Sequence, residues 1–212
     1  MIAQELLDEL WDFEDPAGSG RRFAAAEELP SHTESERAEL ATQRARALGL
    51  QGRLDDGHAL LESAGRTSGT DTVVATRIAL ETGRLLNSAD RPAEAIPRFE
   101  AAVSSAGSGG LLFLQIDALH MLAIADKRRS GEWAAQAIAL TLTATDDRTR
   151  RWLVSLYNNL GCSHSEAGNL QAAYAAFLQA AEWAERVGTD QQQIWAREAI
   201  EECAAAMSRA TS

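Results

Sequence analysis

The stretch LGCSHSEAGNLQAAYAAF, residues 160–177, combines side chains that could form a small active site. Cys162 and His164 could act as a thiol nucleophile and its base, and Ser163, Ser165 and Tyr174 carry hydroxyl groups. Two positions apart on a helix, however, the Cys and His side chains point about 200° away from each other. No Asn or Asp is placed to orient the imidazole. We therefore predict that this stretch is not catalytic and that the protein is not an enzyme.

The remaining residues that could bind a metal or a phosphate group do not form a recognisable motif. The four histidines (His32, His58, His120 and His164) never occur three or four positions apart, and CxxC and HExxH are absent from the sequence. The glycine-rich SSAGSGG does not end in the GK[ST] of a phosphate-binding loop. We expect no metal and no cofactor. The pairs Asp55-Asp56 and Asp146-Asp147 are typical of turns and helix caps.

The composition of the 212 residues limits the partners that the protein can bind. Its 31 acidic residues outnumber 20 Lys and Arg, which gives a formal net charge of −11 at pH 7. Such a chain repels polyphosphate, so neither nucleic acid nor an anionic membrane is an expected partner. Hydrophobic residues make up 45% of the chain, which is enough to form a core.

The cellular location follows from what the chain lacks. Two cysteines, Cys162 and Cys203, do not form a disulfide framework, and the acidic segment MIAQELLDELWDFED does not resemble a signal peptide. The most apolar run, LLFLQI at residues 111–116, is too short to cross a bilayer. We expect a cytoplasmic protein.

One apolar pattern recurs along the whole chain. Ala173, Phe177 and Ala180 are spaced four and three residues apart, so they share one helical face, and Ala95, Phe99 and Ala102 repeat that spacing. Shorter or weaker copies place their last alanine at Ala26, Ala64 and Ala144, so that the copies follow one another at intervals of 36–42 residues. Breaks such as PSHTES, GRTSGTD and SSAGSGG separate them and contain helix-ending or helix-capping residues.

The abundance of alanine, the scarcity of β-branched runs and this periodicity favour an all-α chain. We predict five helix-turn-helix repeats and a final helix, within one domain over residues 1–212. The repeats extend approximately over residues 1–29, 34–66, 71–106, 111–145 and 148–188, and the final helix over residues 191–208. In that last helix Trp195, Ala199, Cys203 and Ala206 form an apolar stripe that could cover the last repeat.

These residues resemble the tetratricopeptide repeat (TPR) family, whose signature is W-x2-L-G-x2-Y followed by A-x3-F. The fifth repeat has Tyr157, Leu160-Gly161 and His164 at the first-helix positions and Ala173-x3-Phe177 on the second helix. The third repeat has Gly83 and Ala95-x3-Phe99, and the second has Ala45 and Leu61. The run LYNNLG is also similar to bacterial TPR proteins that carry paired asparagines. The resemblance implies a right-handed α-solenoid in which the small residues allow close approach and the aromatic fills the adjacent gap.

The resemblance also implies a concave groove, lined by the first helices of the repeats, that binds an extended peptide or a partner helix. Arg binds carboxylates and Asn amides bind peptide groups, so an acidic or C-terminal segment is the expected ligand. The alternative is that the arginines form a solvated face or internal ion pairs. Alignment of the repeats places these residues in the groove: Gln43, Arg46, Arg77, Arg84, Asn87, Asp117, His120, Asn158, Asn159 and Cys162.

Three functions follow from these observations. The first is a non-enzymatic protein–protein interaction module that binds a peptide or a partner protein in the groove. The second is a self-assembling scaffold, such as a homodimer, formed through exposed Trp11, Phe13 and Trp195. The third is a sensor or enzyme with a pocket between repeats near Asp117 and His120, which a buried pocket that holds both residues with shifted pKa values would favour.

Overall fold

A computed structural model describes residues 1–67, 69 and 71–210, and all regular secondary structure within these ranges is helical. Residues 68, 70, 211 and 212, which belong to the predicted break GRTSGTD and to the predicted 1–212 domain, lie outside the described residues. The chain divides into two compact units, Met1–Lys127 and Arg128–Ser212. We call these the N-terminal unit and the C-terminal unit. The division lies inside the predicted fourth repeat, residues 111–145.

The N-terminal unit contains seven helices in its described residues. They are α1 (Gln4–Leu10), α2 (Pro16–Glu27), α3 (Glu34–Leu50), α4 (Leu54–Thr67), α5 (Thr72–Ser88), α6 (Pro92–Ser108) and α7 (Leu112–Ala125). From α2 onwards each helix packs against the next one in the chain, and α5 additionally packs against α3 and α7. The helices α3, α5 and α7 therefore lie side by side in that order.

The C-terminal unit contains five helices in its described residues. They are α8 (Ser130–Thr141), the single turn α9 (Asp147–Arg150), α10 (Trp152–Glu166), α11 (Leu170–Val187) and α12 (Asp190–Ala210). Helix α11 packs against α10 and α12, and α10 also contacts α8. Cys203 of α12 is buried against Phe177, whereas Trp195 at the start of the same stripe is 58% exposed. None of the described helices has the length and apolar composition needed to cross a bilayer.

Local sequence signals explain where several helices begin. Thr33 and Glu36 form a reciprocal capping box at the start of α3, in which each side chain accepts a hydrogen bond from the other residue's backbone N–H. The carboxylate of Asp71 accepts hydrogen bonds from two backbone N–H groups at the start of α5. Asp15 caps α2, whose first residue is Pro16. Each of these helices therefore has a defined first turn.

The turns inside three hairpins have the same construction. The helices α3, α5 and α10 are each followed by a residue with positive φ, namely Gly52 (74°), Asp90 (57°) and Gly168 (76°). The next residue's N–H then donates to a carbonyl five positions earlier, as in the bond from Arg53 to Leu48. This left-handed turn ends the first helix and directs the chain back along it.

The small residues and aromatics of the repeated pattern lie in direct contact. A Cβ atom on Gly83 of α5 would lie 2.5 Å from the Phe99 ring of α6, and one on Gly161 of α10 would lie 2.5 Å from the Phe177 ring of α11. Phe99 is fully buried and Phe177 is 6% exposed. The predicted role of these pairs is confirmed: the glycine allows close approach of the two helices, and the ring fills the space beside it.

Arg44 is a partly buried charged residue of α3. Its guanidinium forms an ion pair of 2.8 Å with Glu27 of α2, and the Glu27 side chain is 17% exposed. The charged side chain is thus accommodated by a carboxylate on the preceding helix. Burial raises the pKa of Glu27 above its ordinary value, although Arg44 opposes that effect.

Candidate functional site

Seven of the ten predicted groove residues lie in the N-terminal unit, on the adjacent helices α3, α5 and α7. They are Gln43, Arg46, Arg77, Arg84, Asn87, Asp117 and His120. Equivalent positions of α3 and α5 are 38 residues apart, so that Glu39, Gln43 and Arg46 correspond to Arg77, Glu81 and Arg84. Their spacing of four and three residues places each set on one helical face. Two polar stripes therefore meet between α3 and α5.

Two of the arginines are held by carboxylates of the same unit. Arg77 Nε donates to Glu39 Oε1 at 3.0 Å, and Arg84 donates to Glu81 on its own helix and to Asp117 on α7. The three carboxylates are at most 3% exposed. Internal ion pairs were the alternative that the sequence left open for these arginines, and both side chains form them. Arg84 consequently connects α5 to α7.

The beginning of the chain contributes to the same cluster. The backbone N–H of Ile2 donates to Glu39 Oε2 at 2.8 Å, so both oxygens of this carboxylate are engaged. The indole Nε1 of Trp11 donates to Gln43 Oε1 at 3.0 Å. Gln43 is 3% exposed, so its amide holds the indole in place and is itself largely covered.

Arg46 differs from Arg77 and Arg84 because no described carboxylate forms an ion pair with it. Its Cζ instead lies 5.4 Å from the centroid of the Trp11 ring and 5.3 Å from that of Phe13. The two rings are stacked on each other, 4.7 Å apart and parallel. The Phe13 side chain is 57% exposed. Arg46 and this aromatic pair form a surface feature in which the cation and one ring remain partly accessible.

A pocket of about 210 Å³ opens beside Arg46. Its polar wall includes Arg46, Glu81, Arg84, Asn87 and Ser88, and its apolar wall consists of Gly49, Leu50, Leu85 and Met121. One oxygen of Glu81, Oε2, is buried and has no hydrogen-bond partner among the described residues. The pocket thus combines a guanidinium, an unsatisfied carboxylate oxygen and an aliphatic surface.

The charged groups of the cluster shift one another's pKa values, so that Asp117 and Arg84 are ionised and His120 is neutral at pH 7. Burial opposes the charge of Asp117, but the cations Arg84 and Arg46 hold its pKa below the ordinary value. Burial likewise opposes the charge of Arg84, but Asp117 and Glu81 raise its pKa above the ordinary value. Burial, aided by Arg84 and Arg46, lowers the pKa of His120 to about 4, so this imidazole is neutral at pH 7. Burial and the neighbouring Arg84 also lower the pKa of Arg46.

The other three predicted residues lie in the C-terminal unit, on α10. Asn158 and Asn159 line a pocket of about 280 Å³ together with Gln192 and the exposed Trp195 of α12. Cys162 is exposed, and the side-chain amide of Asn158 contacts its sulfur at 3.9 Å. These three residues are therefore neighbours on one stretch of helix.

Cys162 and His164 lie two positions apart on α10. Partial burial raises the pKa of Cys162, and Glu166 and Glu202 add to that increase, so the thiol form is favoured. His164, at the position of an aromatic in the TPR signature, is partly buried. No group of three or more His, Cys, Asp or Glu side chains in the described part of the chain could hold a metal ion.

Four further residues complete the site in the N-terminal unit, and the sequence analysis did not predict them as site residues. They are Glu39, Glu81, Trp11 and Phe13. Glu39 and Glu81 carried a usable signal, since they lie at helical spacing from Gln43, Arg46, Arg77 and Arg84. The sequence predicts Trp11 and Phe13 only as exposed rings for self-association, but Trp11 is partly buried against the core because it packs beside Phe23. The contact of Trp11 and Phe13 with Arg46 depends on the path of the chain between α1 and α2, for which the local sequence has no comparable signal.

Comparison with known proteins does not assign the chain to a family. No protein-family model matches the sequence, and no curated protein matches it.

Proposed function

We propose that this protein is a non-enzymatic, TPR-like helical repeat protein that binds a partner protein or peptide on the face formed by α3, α5 and α7. The observation that carries the proposal is the group of Arg46, Trp11 and Phe13. A guanidinium without a carboxylate partner among the described residues rests on two stacked rings, one of which is 57% exposed. Arginine and aromatic side chains of this kind dominate the binding energy of many protein interfaces.

The residues that would contact a partner differ from the residues that hold the three helices together. Arg46, Asn87 and Phe13 are at least partly accessible and carry groups that can bind peptide or apolar side chains. Arg77 and Arg84 are engaged with Glu39, Glu81 and Asp117, so their proposed role is to hold α3, α5 and α7 together. The expected acidic or C-terminal ligand therefore depends on Arg46 alone among these arginines.

The right-handed TPR solenoid and the bacterial, cytoplasmic setting belong to the same proposal. The repeated turn after α3, α5 and α10 and the two glycine–phenylalanine contacts support a repeat architecture. The two free cysteines suit a reducing compartment. Asn158 and Asn159 beside Trp195 would offer a second contact area in the C-terminal unit.

Affinity capture with matched variants tests this function. The wild type, Phe13→Ser/Arg46→Ala and Arg98→Ala would be used to capture proteins from the source cell, followed by quantitative mass spectrometry. Arg98 is an exposed arginine on α6, outside the three helices, and serves as the control. We expect at least one partner to be retained by the wild type and by Arg98→Ala but lost by the double variant. Equal capture by all three proteins, with direct binding confirmed by calorimetry, would reject this face.

Self-association is the second candidate, and the exposed rings favour it. Phe13 is 57% exposed and Trp195 is 58% exposed, which is unusual for residues of this size. A homodimer through either ring would appear as a doubled mass in light scattering, and Phe13→Ser or Trp195→Ser would return it to a monomer. A monomer at high concentration would eliminate this candidate and leave partner binding in place.

A further inference from the structure

The pocket beside Arg46 contains a carboxylate oxygen that lacks a donor. Glu81 is 1% exposed, and its Oε1 accepts a hydrogen bond from Arg84. Its Oε2 is buried without a hydrogen-bond partner among the described residues, although the residue lines the pocket wall. An unsatisfied buried carboxylate oxygen costs free energy, and a bound hydrogen-bond donor would remove that cost.

The same pocket presents a guanidinium that can accept an anion. Arg46 lines the wall together with Glu81, and its contacts in the described structure are the faces of Trp11 and Phe13. A ring face holds the cation in place but leaves its N–H groups able to donate. A ligand in the pocket can therefore meet a donor on Arg46, and it reaches the acceptor on Glu81 once that covered carboxylate rotates toward the pocket.

The surrounding cluster has equal numbers of positive and negative side chains, and this limits the net charge that a ligand can carry. The cluster holds three cations, Arg46, Arg77 and Arg84, and three anions, Glu39, Glu81 and Asp117. An anionic or a cationic ligand would leave one uncompensated charge among largely buried groups, which is costly. A ligand that carries one charge of each sign keeps the balance.

The size and lining of the pocket limit the ligand further. Its volume of about 210 Å³ is below the range of roughly 300–1,000 Å³ that is typical of sites for drug-sized molecules. Leu50, Leu85 and Met121 supply an aliphatic surface on one side, and Asn87 and Ser88 supply further polar groups. These dimensions suit a single amino-acid residue with an aliphatic side chain.

We propose that this pocket binds a free aliphatic α-amino acid in its zwitterionic form. The α-carboxylate accepts hydrogen bonds from Arg46, the α-ammonium group donates to Glu81 Oε2, and the side chain packs on Leu50, Leu85 and Met121. The unsatisfied Glu81 Oε2 and the Arg46 guanidinium each gain a partner of opposite charge. The ligand is a small molecule, so this inference stands independently of the proposed binding of a partner protein, although both use Arg46.

Four leucine derivatives test the proposal on the full-length protein without any mutation. L-Leucine carries both charges, N-acetyl-leucine only the negative one, leucinamide only the positive one and N-acetyl-leucinamide neither. Affinities would be measured by calorimetry and by the fluorescence of Trp11, compared in a Trp11→Phe control. We expect leucine to bind most tightly and each blocked form to lose about tenfold or more, because each loses a charge-assisted hydrogen bond.

Two conservative variants then assign the two ends of the ligand. Arg46→Gln should abolish the preference for leucine over leucinamide, and Glu81→Gln should abolish the preference for leucine over N-acetyl-leucine. Thermal melting would verify that each variant is folded. If Glu81→Gln is unfolded, the comparison of the four derivatives on the wild type still decides the outcome.

Several results would overturn the proposal. If N-acetyl-leucine bound more tightly than leucine, the pocket would be a site for chain-terminal carboxylates. If N-acetyl-leucinamide bound more tightly than leucine, the pocket would be a site for main-chain amides. The absence of binding by leucine, isoleucine, valine and methionine at millimolar concentration would also exclude it. These results would not contradict the capture of a partner protein through Arg46, so the two proposals can fail separately.

Discussion

Arg77 donates a hydrogen bond of 3.0 Å from Nε to Oε1 of Glu39, and both side chains are buried between α5 and α3. The same carboxylate accepts the backbone N–H of Ile2 through its other oxygen. This single pair therefore connects two neighbouring helices and the beginning of the chain. A residue that alignment of the repeats predicted to line a binding groove is thus buried in an ion pair between α5 and α3.

Removing one partner of this pair should destabilise the protein strongly. Arg77→Met leaves Glu39 buried without its cation, and we expect the free energy of unfolding to fall by about 3–5 kcal/mol. Urea denaturation measures the change. The double variant Arg77→Met/Glu39→Gln should recover part of the loss, because the uncompensated charge is removed.

The exposed pair Arg53–Asp56 is the matched control for that experiment. Its two side chains are 57% and 56% exposed, and its atoms lie 2.7 Å apart. Arg53→Met should change the unfolding free energy only slightly, because exposed pairs contribute little. Comparable losses for Arg53→Met and Arg77→Met would contradict the structural role of the Glu39 pair.

The glycine–phenylalanine contact predicts an unusual response to a small substitution. Gly83→Ala would bring a methyl group to 2.5 Å from the buried Phe99 ring, so the helices must separate. We expect a loss of about 1–3 kcal/mol, measured by urea denaturation, with faster amide exchange in α5 and α6. Gly65→Ala on α4 meets only Ile78, at 3.6 Å, and should instead stabilise the protein by up to about 1 kcal/mol. Stabilisation by both substitutions would contradict the close helix approach.

His120 makes the stability of the N-terminal unit depend on pH. Its pKa in the folded protein is about 4, below the ordinary value of 6.5, so the unfolded chain binds more protons between these values. The contribution is fully present above pH 6.5 and is lost as the pH falls towards 4, by up to about 3 kcal/mol.

Nuclear magnetic resonance and a variant check this dependence. The ring protons of His120 should titrate near pH 4, and His120→Gln should show a smaller decrease in unfolding free energy between pH 7 and pH 5 than the wild type. A His120 midpoint near 6.5 would contradict the burial of a neutral imidazole.

The two cysteines should differ in reactivity, and neither should behave as a nucleophile. The Cys162 thiol is accessible, but its raised pKa predicts alkylation by iodoacetamide at pH 7.5 that is slower than that of glutathione. Glu166→Gln should accelerate it. Cys203 is buried and should react only on unfolding. Mass spectrometry counts both modifications, and Cys162 labelling faster than glutathione would reopen the question of catalysis.

The helices and their hairpin contacts could be predicted from the sequence because they depend on local spacing. Gly83 with Phe99, and Gly161 with Phe177, follow a pattern in which a small residue and an aromatic face each other across one turn. The final helix, predicted over residues 191–208, extends from Asp190 to Ala210. The exact ends depend on caps and fraying that spacing does not determine.

The ion pairs of the site were harder to predict from the sequence than the positions of its residues. Alignment placed Arg46, Arg77 and Arg84 on adjacent helices, but it could not determine which carboxylates reach them. That outcome depends on distances between helices, such as the approach of Arg84 to Asp117 across α5 and α7. The stacking of Phe13 with Trp11 arises in a connection whose conformation is set by tertiary contacts.

The hairpins α5–α6 and α10–α11 share the glycine–phenylalanine contact between their two helices but differ in the polar residues of their first helix. Gly83 and Gly161 are 78 residues apart, as are Phe99 and Phe177, and a Cβ atom added to either glycine would meet the same ring atoms at the same distances. At the same offset, the charged residues Arg77, Glu81 and Arg84 of α5 are replaced in α10 by Ser155, Asn159 and Cys162. A hairpin of this kind can be duplicated as a gene segment that already encodes its own packing. Its remaining residues can then diverge provided that the neighbouring helix changes with them, as the buried pair of Arg77 on α5 and Glu39 on α3 requires.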